Sequence, residues 1–281
     1  MKLALMIEGQ EDVTWQDWRR LAELAESHGY QALMRSDHYL SVGGRTERGA
    51  LDAWGTICAL GPMTERIRLG TLVSPVTFRP AAVLAKLALT ADHVSGGRID
   101  VGMGTGWNEG EHAAFGLELP PMKQRFAQLE QQVADVTRFW DEFLPDPVQQ
   151  PRPRLVLGGQ AKPRAAALAA RYAQEYNVLY STPEQVAEKR ALLDDRLELS
   201  MMTGFAIGET QADVDRRLDE LEATTGMRGN ETWLIGTPDE VIGQIRRLAD
   251  AGLDRIMLQH FLHRDDDAVA LIAQAILPEF A

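Results

Sequence analysis

The chain has 281 residues, 45% of them hydrophobic, and a formal net charge of −12. So acidic a chain is a poor partner for nucleic acid or an anionic membrane, and no apolar run approaches the roughly 20 residues of a membrane span. The single cysteine, Cys58, rules out an internal disulfide and points to a reducing, cytoplasmic setting; its apolar helical surroundings mark a packed thiol rather than a nucleophile.

Residues 2–8 are expected as a first strand. Residues 15–28 are amphipathic, and Gly29 ends them as glycine ends a helix. A short strand at 32–35 runs into Ser36-Asp37-His38. A loop with Gly and Arg (42–49) leads to a helix at 51–60. Residues 67–73 form a strand, and Pro80 opens a helix at 80–94. Gly96-Gly97 turns the chain into a strand at 98–103. A long helix at 122–143 precedes a connection rich in Pro, Asp and Gln (145–153). Strands at 154–157, 175–179 and 199–207 then alternate with helices at 163–173, 183–194 and 211–224. An extended piece at 232–235, a helix at 238–251, a strand at 254–259 and a helix at 266–276 complete the chain. About eight βα units predict a parallel sheet. At this length they fit a (β/α)8 TIM barrel with short insertions, one domain over residues 1–281 with 145–153 as an internal loop.

In such a barrel the chemistry lies at the C-terminal ends of the strands. There the sequence offers Glu8-Gly9, Ser36-Asp37-His38, Thr71 to Pro75, the stretch VGMGTGWNEGEHAAFG from Val101, Gly158-Gly159-Gln160 and Tyr180-Ser181-Thr182. His38 suits proton transfer near neutral pH, with Asp37 beside it. Gly158-Gly159 before a helix opening at Pro163, and Ser181-Thr182 before Pro183, are candidate phosphate sites at helix N-termini.

The glycines Gly102, Gly104 and Gly106 are followed by Trp107 where a dinucleotide fingerprint needs its third glycine, so that reading fails. Glu109, Glu111 and His112 are metal-ligand types, but zinc-hydrolase spacings are absent. Glu109 and His112 are expected on an exposed first helical turn, and no metal site is assigned. What remains is backbone passing close under a flat ring, with Trp107 as an aromatic wall.

The block RIRLGTLVSPVTFRPAAVLAKLALTADHVSGGRIDVGMGTGWNEGEHAAFG closely resembles the luciferase-like oxidoreductases, especially the branch using the deazaflavin coenzyme F420. MRSDHYL, PRLVLGGQ and LAARYAQEYNVLYSTPEQV follow in the order this family shows. The resemblance implies a barrel with the cofactor ring across its mouth, pressed by a bulge carrying a non-proline cis peptide at Thr71-Leu72, with Ser74 nearby. It implies cofactor contacts from Asp37, Gly104, Thr105, Gly106 and Asn108. Gly158, Gly159, Gln160 and Ser181 match the region that holds the cofactor phosphate. His38 is the expected proton carrier, with Asp37 and Trp107 beside the substrate. Trp107 departs from the family's sugar-phosphate dehydrogenases, which keep a glutamate there.

Three readings stay open: an F420-dependent oxidoreductase acting on a small organic molecule, a reduced-FMN monooxygenase, and a non-catalytic flavin-binding protein. Arg35, Arg45 and Arg48 are candidates for a groove holding the anionic F420 tail. Trp54, Met63 and the helix at 51–60 are candidates for a homodimer interface.

Overall fold

The computed structural model describes residues 1–143 and 145–280; Leu144 and Ala281, which the single-domain expectation includes, lie outside them. Among the described residues the strands are β1 (Lys2–Ile7), β2 (Ala32–Arg35), β3 (Arg68–Thr71), β4 (Ser74–Pro75), β5 (Ile99–Gly104), β6 (Arg154–Gly158), β7 (Glu175–Leu179), β8 (Glu198–Ile207), β9 (Leu234–Gly236) and β10 (Arg255–Gln259). The helices are α1 (Trp15–Ser27), α2 (Ala53–Leu60), α3 (Ala81–Ser95), α4 (Glu109–Ala114), α5 (Met122–Glu142), α6 (Pro163–Tyr172), α7 (Pro183–Arg190), α8 (Gln211–Thr225), α9 (Pro238–Asp250) and α10 (Asp266–Ala275). None is long and apolar enough to cross a membrane.

Every strand pairing is parallel. The order β1-β2-β3-β5-β6-β7-β8-β10 returns to β1 and closes the expected (β/α)8 barrel. β4 and β9 are short additions against β5 and β8. The helices pack apolar stripes on the outside: α9 buries Val241, Ile242, Ile245 and Leu248 at helical spacing. Full burial of such a side chain contributes about 1.5–3 kcal/mol.

Alternation along each strand fills the interior. Ala4, Met6, Ala32, Met34, Leu72, Val156, Met202 and Met257 form its apolar middle. At the N-terminal end the first or second residue of several strands is charged. Arg255 donates to Asp100 (3.0 Å) and Glu175 (2.9 Å), Arg68 to Asp100 (2.7 Å), and Arg154 to Glu175 (3.0 Å) and Glu198 (2.5 Å). Charges this buried persist only when paired. This ionic cluster closes the lower end and leaves the C-terminal mouth as the accessible one.

Two local expectations are corrected. The strand expected at 67–73 stops at Thr71, because Leu72-Val73 is a cis peptide and pairing resumes only at Ser74. Trp54 cannot line an interface between copies: it is fully buried, and its indole N–H donates to Ser74 Oγ (3.0 Å).

Candidate active site

β2 delivers Asp37 and His38 to the mouth, and they face opposite ways, as neighbours on extended backbone do. Asp37 is turned under. Its Oδ2 accepts from Arg79 Nη1 (2.6 Å) and Ser74 Oγ (2.5 Å), and its Oδ1 from Arg79 Nη2 (3.1 Å). Its side chain is fully buried. Both oxygens of this carboxylate, expected beside cofactor and substrate, are engaged inside the protein.

His38 faces the mouth. Its Nδ1 lies 2.9 Å from Glu111 Oε2, and the other carboxylate oxygen accepts the backbone N–H groups of Tyr39 and, at 3.1 Å, Leu40. Glu111 comes from α4. Asn108 caps that helix by accepting Glu111 N–H (3.1 Å), and one turn carries the glutamate side chain back onto the β2 loop. Among the described residues, Nε2 of His38 has no hydrogen-bond partner. Burial alone pushes the His38 imidazole down. The Glu111 carboxylate, with Glu8 and Asp37 behind it, more than offsets that, and the ring sits above its ordinary value. Glu111 is pushed up by burial, but His38 and the two backbone N–H groups bring it below the usual carboxylate range.

The expectation for the α4 turn is therefore corrected. Glu109 is exposed, but Glu111 and His112 are buried. His112 is bonded to Thr77 Oγ1 and to Asn108 O, both at 2.7 Å. Trp107 stands out from the mouth, 59% exposed, with its ring 5.7 Å from the His38 ring and edge-on to it.

The non-proline cis peptide lies one bond later than expected, at Leu72-Val73 rather than Thr71-Leu72. The glycines of β5 answer to it. A Cβ on Gly102 would lie 2.1 Å from the Thr71 carbonyl oxygen, and one on Gly104 would lie 2.6 Å from Val73 Cγ2. Gly158, on the far side, would meet Val73 Cγ1 at 3.3 Å. The space these glycines leave is thus taken by the bulge itself, not by a ligand ring directly. Thr71 and Ser74 are buried beneath it, with Thr71 Oγ1 donating to Gly102 O (3.2 Å). Thr105 and Gly106 are half-buried at the rim, and Arg125 donates to Gly106 O.

Of the two expected phosphate sites, one is open. Gly158 and Gly159 are half-buried, Gln160 is exposed, and α6 begins at Pro163 with no side-chain cap, although Gly159 N–H donates to Asn177 O, Ala161 N–H to Tyr176 Oη and Ala165 N–H to Lys162 O (3.0, 3.0 and 2.9 Å). The other is filled. Ser181 is buried, its Oγ donates to Leu179 O (2.9 Å) and accepts from Lys189 Nζ (2.6 Å), and its N–H points to Met201 Sδ; Thr182 caps α7. The basic groove shrinks as well. Arg35 is buried against Trp18, donating to Leu51 O (2.8 Å) and Thr56 Oγ1 (2.7 Å), and Arg48 pairs with Glu11; only Arg45 stands exposed.

Glu8 and Tyr180, expected at strand ends without a stated role, meet Gln259 at the mouth, which was not expected there. Glu8 accepts from Gln10 Nε2 (2.7 Å) and from Gln259, which in turn accepts from Tyr180 Oη. The available signal was alternation: Ala4, Met6 and Glu8 share the inward face of β1. Among the described residues, no three His, Cys, Asp or Glu side chains gather as a metal site.

The model of the luciferase-like monooxygenase family matches residues 3–228. The chain belongs to the luciferase-like monooxygenase family. Within the family it is 25% identical over 312 aligned positions to the F420-dependent glucose-6-phosphate dehydrogenase of Amycolatopsis mediterranei (strain U-32), covering 91% of each chain. Two solved structures share its fold over their full or nearly full length. They are the monooxygenase RslO1 from Streptomyces bottropensis (TM-score 0.79, 24% identity, all of both chains) and an F420-dependent secondary alcohol dehydrogenase in complex with an F420-acetone adduct (TM-score 0.80, 17% identity, 100% of this chain and 99% of the other).

Proposed function

We propose that this luciferase-like protein is an F420-dependent oxidoreductase that transfers a hydride between the deazaflavin and a small organic substrate, with His38 carrying the accompanying proton. The observation that carries this is the His38–Glu111 pair at the mouth, with Nε2 of His38 left free. F420, when bound, supplies a two-electron hydride donor or acceptor.

The residues present fit such a cofactor. The Leu72-Val73 bulge forms an apolar floor, and Asp37, Thr71 and Ser74 hold that floor from below rather than touching the ligand. Gly104, Thr105, Gly106 and Asn108 form one rim. Gly158, Gly159, Gln160 and the uncapped N-terminus of α6 form the other and suit a phosphate. His38 exchanges a proton through Nε2, and Trp107 excludes water beside it. The family likeness to F420-dependent dehydrogenases supports the choice of cofactor.

One observation favours reduced FMN as a second reading. With Arg35 and Arg48 engaged inside the protein, Arg45 is the one exposed cation of the three expected along the groove for the long anionic F420 tail. The paired, proton-competent His38 argues against a purely binding protein. A homodimer is inferred as well, now through the exposed Met63, Val83 and Val94 rather than Trp54, and light scattering reads it directly.

The test of the chemistry is His38→Ala. Turnover with F420 is expected to fall by about 100-fold or more while F420 affinity is kept. Unchanged turnover with every accepted substrate would remove His38 from the reaction.

A further inference from the structure

We propose that Glu111 is the positioning residue for His38: it holds Nδ1–H inward and leaves Nε2 as the one ring nitrogen able to exchange a proton with substrate. This rests on the proposed role of His38 as proton carrier.

The geometry makes the restraint specific. Glu111 is fully buried, and its Oε1 is committed to the Tyr39 and Leu40 N–H groups on the same loop that carries the histidine. The carboxylate therefore cannot swing away without breaking two backbone hydrogen bonds. Its Oε2 faces Nδ1 of His38, and an ionised carboxylate only accepts hydrogen bonds. In neutral His38 the proton is therefore on Nδ1, and Nε2 carries the lone pair. In protonated His38 the transferable proton is on Nε2. A ring flip would turn a carbon toward the carboxylate, so the ring is held.

The pair also answers a question posed by Trp107. Trp107 places an indole, which exchanges no proton, beside the His38 ring at the mouth. Four residues further on, one helical turn, a glutamate reaches the histidine from its buried side. The carboxylate never meets substrate, so it tunes the proton carrier instead of acting as a second one.

The charged groups facing His38 are Glu111 on α4, Glu8 at the end of β1 and Asp37 on its own loop, the last neutralised by Arg79. Removing the Glu111 charge therefore removes the nearest of these and leaves Glu8.

The experiment uses nitrogen-15 and carbon-13 NMR of the His38 ring in the apo-protein, wild type and Glu111→Gln, beside F420 affinity and the pH profile of turnover. In the wild type, neutral His38 is expected as the Nδ1–H tautomer. In Glu111→Gln its titration midpoint is expected to fall by about one pH unit or more. Turnover should fall roughly 10- to 100-fold, on the scale of carboxylate–histidine positioning pairs, with the His38-dependent limb of the pH profile moving in parallel. Glu111→Asp should recover part of both.

A wild-type ring in the Nε2–H tautomer would overturn the proposal without any variant. A Glu111→Gln protein whose His38 titrates as in the wild type would overturn it too, and would reduce Glu111 to a brace for the loop. If F420 fails to bind at all, the cofactor reading fails instead, while the NMR result still decides the role of Glu111.

Discussion

Gly102 of β5 lies where any side chain would occupy the Thr71 carbonyl oxygen, 2.1 Å from the position its Cβ would take. Gly102→Ala must therefore push β3 away from β5 just below the Leu72-Val73 bulge. A stability loss of about 1–3 kcal/mol is expected in urea denaturation, the scale of an overpacked core. Cofactor affinity should fall with it, because the floor shifts. An unchanged midpoint would show that the bulge is not braced by this glycine.

Asp37 and His38 are neighbours with separable duties. Asp37→Ala leaves the Arg79 guanidinium, buried in this site, with only Asp52 as a counter-ion. Breaking a buried pair from one side costs about 3–5 kcal/mol. The variant should unfold at clearly lower urea than His38→Ala, whose side chain partly faces solvent. Equal losses would mean that the Asp37–Arg79 pair does not brace the floor.

The His38–Glu111 pair sets a pH window for stability. His38 is raised in the folded state, so its contribution is complete below the unfolded value of 6.5 and is lost as pH rises through the folded value. Glu111 is lowered, so its contribution is complete above the unfolded 4.5 and is lost as pH falls through the folded value. The stability difference between wild type and His38→Ala should therefore be largest between pH 4.5 and 6.5 and shrink above neutrality. A difference that grows toward alkaline pH would contradict the pairing.

His260 behaves oppositely. Burial, against Phe205, pushes it down to about 3, so the folded chain refuses a proton that the unfolded chain accepts below 6.5. Stability should fall as pH drops from 6.5 toward 3, with His260 contributing a slope of up to about 1.4 kcal/mol per pH unit. His260→Phe should flatten that part of the curve. An unaltered acid slope would show that His260 is protonated in the folded state.

The barrel was legible because alternation and glycine or proline stops are local signals, and strand-end logic then led to His38 and Trp107. Facing was harder to read. Asp37 and Ser181 are polar residues at strand ends, yet both are tucked beneath the mouth, Asp37 by Arg79, 42 residues away, and Ser181 by Leu179 O and by Lys189 from the following helix. Glu111 was missed because its partner lies 73 residues away. Its signal was the Asn108-to-Glu111 spacing of a capped helix start, which fixes the turn that aims it inward. The glycines of β5 were placed correctly but assigned to the ligand, because the chain that fills their space is a neighbouring strand.

Whether F420 is the cofactor of this mouth is decided by equilibrium fluorescence titration of the apo-protein with F420 and with FMN under the same conditions. F420 is expected to bind at least about 10-fold more tightly, a difference of about 1.4 kcal/mol. Tighter binding of FMN would contradict it and establish the monooxygenase reading in its place.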